Sequence, residues 1–60
     1  MTLEKALAEI EGKFREAVRL AEDYNRRGAK DLEEYYKGAK WAFDFALKAI
    51  KEAMKTEGSD

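Results

Sequence analysis

The sequence predicts an all-α protein, an antiparallel two-helix hairpin that dimerises into a four-helix bundle. Apolar residues recur at helical spacing in two long runs, and one glycine-containing segment separates the runs. The second run also carries more apolar surface than a single neighbouring helix can cover. Because 60 residues leave room for one domain, we treat residues 1–60 as a single helical-hairpin domain.

The first helix is predicted over residues 3–27. Thr2 precedes it, and a threonine hydroxyl can accept a hydrogen bond from an amide of the first turn. The apolar residues form two interleaved heptad series, namely Leu7, Phe14 and Ala21, and Leu3, Ile10, Ala17 and Tyr24. They make one apolar stripe, so this helix needs one partner.

The stretch "NRRGAKD" interrupts the helical pattern, and a turn is predicted over residues 28–31. Gly28 suits the left-handed residue just past a helix end, and Arg26 and Arg27 lie where the helix dipole favours cations. Asp31 is expected to cap the next helix, with Glu34 completing a capping box. A single continuous helix is the alternative, but it would place Gly28 inside a helix at a cost of about 1 kcal/mol.

The second helix is predicted over residues 32–56, followed by a frayed tail at 57–60. Its core series are Tyr36, Phe43 and Ile50, and Leu32, Ala39, Ala46 and Ala53. Large residues then face small ones, which permits close helix packing. The pattern predicts Phe14, Phe43 and Ile50 among the most buried residues, and it predicts overpacking in Ala46→Leu.

Apolar residues continue around the second helix beyond this stripe and leave a polar strip of about 100°. Trp41 and Phe45 are one turn apart, nearly opposite Phe43, and two adjacent exposed aromatics favour association. Small residues lie on the same side of the helix, and they would let the backbone of another helix come close to this one. The sequence therefore predicts a protein interface, with a second copy of the chain as the expected cover and a different protein as the alternative. Its residues are Gly38, Trp41, Ala42, Phe45 and Ala49.

The polar strip is rich in lysine and can be interpreted in two ways. A row of lysines could follow phosphate groups, which makes nucleic-acid contact possible at Lys37, Lys40, Lys48, Lys51 and Lys55. The simpler interpretation is a solvated helix face. Carboxylates are interspersed, and Asp44 lies one turn before Lys48 at a spacing suited to an intrahelical ion pair.

Composition argues against catalysis, metals and cofactors. The chain has no cysteine and no histidine, so it lacks disulfides, thiolate ligands and the commonest general base. Ser59 has no base partner, the glycines are isolated, and Glu33 and Glu34 are expected on the surface. The net charge of -1 gives no global attraction to nucleic acid, and no apolar run of membrane-spanning length or signal peptide is evident. A cytoplasmic location is expected.

In length, hairpin layout and its core of small against large residues, most of the chain resembles the Rop family of helical hairpins. Those proteins dimerise into a four-helix bundle and bind RNA loop pairs. The resemblance implies assembly, and it transfers no RNA-contact residues to this sequence.

Three classes of function are left. The first and preferred is a small non-enzymatic regulator that binds another protein through helix packing. The second is a Rop-like dimer that binds nucleic acid through its lysines. The third is a purely structural or engineered bundle, which the irregular Gly12 and Gly38 disfavour.

Overall fold

The computed structural model describes the backbone of residues 2–58 and the side chains through residue 55. Helix α1 spans Leu3–Arg27 and helix α2 spans Lys30–Gly58. The two helices pack against each other as an antiparallel hairpin with dimensions of 49 × 16 × 13 Å. The predicted all-helical hairpin is confirmed.

Helix α1 begins where the sequence predicts. Thr2 is extended, and its hydroxyl accepts a hydrogen bond of 3.1 Å from the Lys5 amide while its carbonyl accepts one from the Ala6 amide. Arg26 and Arg27, in the last turn, both pair with Asp23, at 3.6 Å and 3.1 Å. These contacts stabilise the two ends of α1 with residues close in sequence.

The connection between the helices contains only Gly28 and Ala29. Gly28 has φ 75° and ψ 14°, the left-handed conformation expected of it. The Gly28 amide donates to the carbonyl of Asn25, and the Ala29 amide donates to that of Tyr24. This pair of bonds is the Schellman arrangement, which satisfies two carbonyls that the end of α1 would otherwise leave without donors.

Helix α2 begins two residues earlier than predicted, so the proposed cap at Asp31 is wrong. The first helical bond of α2 runs from the Glu33 amide to the Ala29 carbonyl, which places Ala29 at the capping position. Asp31 lies inside the first turn, where its charge still favours the helix dipole. At its other end α2 continues to Gly58, past the predicted end near residue 56. Residues 59 and 60 of the predicted tail lie outside the described part.

The apolar stripe of α1 is confirmed in its centre, where Ala17 and Ala21 are 3% and 6% exposed. Leu3, at the end of the stripe, is 41% exposed. In α2 the series Tyr36, Phe43 and Ile50 does face α1, although these residues are only half-buried. Phe14 is also half-buried, so the prediction that Phe14, Phe43 and Ile50 are among the most buried residues is wrong. Two helices alone cannot surround a large side chain.

The second core series of α2 differs from the predicted one. Leu47 is 7% exposed, whereas Leu32 is 45% exposed and Ala53 is exposed. Ala39 and Ala46 are half-buried at the edge of the contact. The residues that complete the heptad pattern facing α1 are Glu33, Lys40, Leu47 and Met54. At 100° per residue, this change rotates the packing face of α2 by about 50°.

Candidate protein-interaction surfaces

Trp41 and Phe45 stack on each other on the outside of α2. Their ring centroids are 6.0 Å apart and the ring planes differ by 20°. Trp41 is 70% exposed and Phe45 is 65% exposed, so most of each side chain is accessible to solvent. An aromatic pair exposed to this degree resembles the anchors that carry the binding energy of protein interfaces.

The predicted interface residues lie together on this surface. Gly38, Ala42 and Ala49 are exposed beside the two rings. A side chain built on Gly38 would meet nothing within 4 Å, so no close contact inside the hairpin requires glycine at this position. We call the set Gly38, Trp41, Ala42, Phe45 and Ala49 the aromatic face.

The aromatic face points away from α1. By helical spacing, its residues lie about 130° to 170° from the direction in which α2 packs on α1. A second copy covering this face would therefore produce a row of four helices, with the two α2 helices in the middle. A compact four-helix bundle instead needs a surface to which both helices contribute. The sequence predicts a single contact that both forms the bundle and covers Trp41, whereas most of the aromatic face lies on the side of α2 opposite α1.

Such a two-helix surface exists on one side of the hairpin. Leu20 of α1 and Tyr35, Ala39 and Phe43 of α2 line a groove between the helices. Lys13 and Glu16, also from α1, line the same groove. Tyr35 is 67% exposed. Its ring packs edge to face against that of Tyr36, with ring centroids 4.9 Å apart. We call these lining residues the interhelical groove.

Lysines occupy the opposite side of the hairpin. Lys37 pairs with Glu33 at 3.2 Å and Lys48 pairs with Asp44 at 3.1 Å, the latter as predicted from their spacing. Lys40 is half-buried in a cleft beside Phe14 and Trp41. The remaining two lysines of the predicted strip, Lys51 and Lys55, are exposed. Carboxylates of the same helix thus already neutralise part of the proposed phosphate-binding row.

Glu33 is a buried acidic residue that the sequence analysis placed on the surface. It is only 7% exposed, and its Oε2 accepts a hydrogen bond of 2.8 Å from the Asn25 side-chain amide. This hydrogen bond, followed by the one from Lys37, lowers the pKa of Glu33 below the ordinary value of 4.5. Stabilised in its charged form, Glu33 fastens the start of α2 to the end of α1.

The stacked Tyr24 and Tyr36 rings lie next to that polar contact, with centroids 5.6 Å apart and planes 8° apart. The Arg27 guanidinium lies 5.7 Å from the centre of the Tyr24 ring. Both features order the turn end of the hairpin.

Sequence reasoning missed the interhelical groove and the burial of Glu33. Tyr35 belongs to the apolar surface that continues around α2, but the sequence alone does not show that this side of α2 adjoins Leu20 of α1. The signal was present, because Leu20 lies outside the two core series of α1 and an apolar residue at that place widens the apolar surface toward one side. Glu33 offered no comparable signal, since its burial depends on Asn25 across the turn.

Neither a metal-binding cluster nor a membrane-spanning helix is found among the described residues. No three of their acidic side chains are grouped so that they could hold a metal ion. Neither helix, over residues 2–58, is long and apolar enough to cross a membrane. Comparison of the chain with protein-family models, with curated proteins and with solved structures gives no match. Its function must therefore be argued from its own surfaces.

Proposed function

We propose that the chain is a non-enzymatic protein-interaction module, a regulator that works as a homodimeric four-helix bundle and binds another protein by helix packing on its aromatic face. The observation that carries the proposal is the stacked Trp41 and Phe45 pair, 70% and 65% exposed on the side of α2 away from α1. Rigid aromatic rings lose little conformational entropy on binding and bury much apolar area.

The neighbouring residues suit a helical partner. Gly38, Ala42 and Ala49 present little side chain, so a helix could lie close to α2 and bring apolar side chains against both rings. The partner that fits is an amphipathic helix whose apolar stripe covers Trp41 and Phe45.

The surface area of the hairpin supports the dimer. The chain exposes 4797 Å², whereas a compact monomer of its mass, 6.9 kDa, is expected to expose about 4000 Å². The excess of roughly 800 Å² matches the area that each partner contributes to an interface of standard size. No large side chain among the described residues is fully buried, so a second subunit would also complete the core.

Photo-crosslinking in the cells that express the protein tests the aromatic face. Benzoylphenylalanine replaces Phe45, and the adduct is identified by mass spectrometry. We expect one adduct with a different protein, and we expect Trp41→Ser to abolish it because the ring pair is broken. The matched control places the same probe at Arg19, an exposed position of α1, and should give no such adduct.

Binding of the identified partner is then measured in solution. Because the chain has one tryptophan, its fluorescence reports directly on the aromatic face. Partner binding should shift the Trp41 emission to shorter wavelength, and the double change Trp41→Ser with Phe45→Ser should weaken binding by about tenfold or more. Equal adducts from positions 45 and 19, or salt-dependent RNA binding with no protein adduct, would contradict the proposal.

A further inference from the structure

We infer that the second copy docks in the interhelical groove, so that the dimer leaves the aromatic face open for a different protein. The inference rests on the dimer proposed above and adds the surface that forms it. Both helices line this groove, as a compact four-helix bundle requires. The aromatic face consists of α2 residues, and where Trp41 adjoins Phe14 and Val18 of α1 the cleft is lined by Lys37, Lys40 and Asp44.

The groove side of α2 is apolar along its described length. Leu32 and Tyr35, 45% and 67% exposed, lie near the turn. Alanines continue the same side toward the other end of the helix, and their small side chains permit a close approach of another helix. These alanines are Ala39, Ala46 and Ala53. On α1, Leu20 adds an apolar side chain to the same surface.

Charge distinguishes the groove from the opposite side. A two-fold contact places each surface against its own copy, so a surface rich in one charge repels itself. On the opposite side, α2 carries five lysines against Glu33 and Asp44, and α1 adds Glu22 and Arg26, so positive charge remains in excess. The groove carries Lys13 and Glu16, one of each sign and one turn apart, which makes it self-complementary. The second copy therefore fits the groove side.

The positions on the helix show what this dimer would leave exposed. Tyr35 lies on one side of α2, about 120° around the axis from Trp41. A second hairpin packed over Tyr35 and Leu20 covers the flank of the subunit and stays clear of the Trp41 ring. The assembly then has two copies of the Trp41 and Phe45 ring pair on its outside, each available to a partner.

Sedimentation equilibrium with matched variants tests the inference. The wild-type mass should rise from 6.9 kDa to twice that value as the concentration increases from about 1 μM to about 1 mM. Tyr35→Lys should raise the dimer dissociation constant by about tenfold or more, because it brings a charge into an apolar contact. Phe45→Lys is the matched control, since Phe45 is 65% exposed against 67% for Tyr35, and it should leave dimerisation nearly unchanged.

Two further measurements distinguish loss of the dimer from loss of folding, and the groove from the aromatic face. Circular dichroism confirms that each variant is still helical. Leu32→Lys, on the groove side of α2, provides a second variant that should also weaken the dimer. Trp41 emission should stay at long wavelength while the wild-type chain dimerises. A blue shift on dimerisation, with loss of the dimer in Phe45→Lys and not in Tyr35→Lys, would place the contact on the aromatic face and overturn the inference alone. A monomer at every concentration would overturn the proposed dimer as well.

Discussion

Glu33 shows how far one residue can depart from what its type suggests. A glutamate in a lysine-rich helix is ordinarily a surface residue. This one is buried because Asn25 and Lys37 satisfy its carboxylate, at 2.8 Å and 3.2 Å, and because α2 turns this position toward α1. Asn25 precedes the turn and Glu33 follows it, so the bond joins the two helices where the chain reverses.

We predict that Glu33 makes the stability of the hairpin depend on pH. Its pKa is lower in the folded chain than the ordinary 4.5 of an unfolded glutamate. The stabilisation is therefore fully present above about pH 4.5 and is lost as the pH falls through the folded pKa. Thermal unfolding of wild type and Glu33→Gln should show a melting difference that favours wild type near neutral pH and shrinks below pH 4.5.

The Asn25→Ala background supplies the control for this prediction. Without the Asn25 amide, the largest cause of the lowered pKa is gone, so Glu33→Gln should have a smaller and less pH-dependent effect. An effect of equal size in both backgrounds would show that Asn25 does not hold the carboxylate.

At the scale of the helices, the start of α2 lacks a side-chain cap. Ala29 occupies the capping position and has no acceptor for the free amides of the first turn. Asp31, two residues further on, can act only through its charge. The hairpin therefore depends on the Schellman turn and the Asn25 bond to fix where α2 begins.

We predict that Ala29→Ser stabilises the hairpin by about 0.5 to 1 kcal/mol, because a serine hydroxyl can accept a bond from a first-turn amide. Asp31→Ala is the comparison and should cost about 0.3 to 1 kcal/mol, the value of a charge near a helix dipole. Urea unfolding measures both. A loss of stability in Ala29→Ser would show that the half-buried site has no space for the hydroxyl.

The rotation of α2 also has a measurable consequence. We predict that Ala17→Leu destabilises by about 1 to 3 kcal/mol, because Ala17 is 3% exposed and faces α2 directly. Ala46→Leu, for which the sequence alone predicted this overpacking, should cost less because Ala46 lies at the edge of the contact. Chemical unfolding measures the loss in free energy of unfolding for each variant. An equal loss in the two would support the packing face predicted from the sequence.

Local signals explain which elements could be predicted. The Thr2 cap, the left-handed Gly28 and the single stripe of α1 each depend on residues close in sequence, and the structure agrees with them. The face of α2 could not be settled in the same way, because apolar residues surround much of that helix. Two sets of α2 residues have the same heptad spacing and could each face α1. The first is Leu32 with Ala39, Ala46 and Ala53, and the second includes Leu47 and Met54. In the structure Leu47 is 7% exposed and the Asn25 side chain holds Glu33, so the second set faces α1.

The molecule as a whole is elongated and exposes a large surface for its size. The radius of gyration is 14.1 Å, against about 10.4 Å for a compact domain of this length. An elongated hairpin leaves the outer sides of both helices uncovered. The aromatic face was found from the sequence because its residues recur at helical spacing, whereas the groove requires knowing which sides of two helices meet.

We predict that Gly12→Ala and Gly38→Ala each stabilise the chain by about 0.5 to 1 kcal/mol, since alanine is the better helix former. A side chain at either position meets nothing within 4 Å. Gly12 lies on the outside of α1 and Gly38 on the aromatic face, so both changes should act equally at low and high protein concentration. Calorimetry at two concentrations checks this. If the stability gained by Gly38→Ala disappears at high protein concentration, a second copy packs on that face.

The short connection at Gly28 and Ala29 also sets the order in which the hairpin forms. A two-residue loop costs little closure entropy, and contacts between residues close in sequence form early. Tyr24 with Tyr36 and Asn25 with Glu33 lie beside that loop, so the helices should zip together from the turn toward their far ends. Opening runs in the reverse direction. Backbone amides around Leu7 and Ile50 should consequently exchange with deuterium sooner than those around Ala21 and Tyr36.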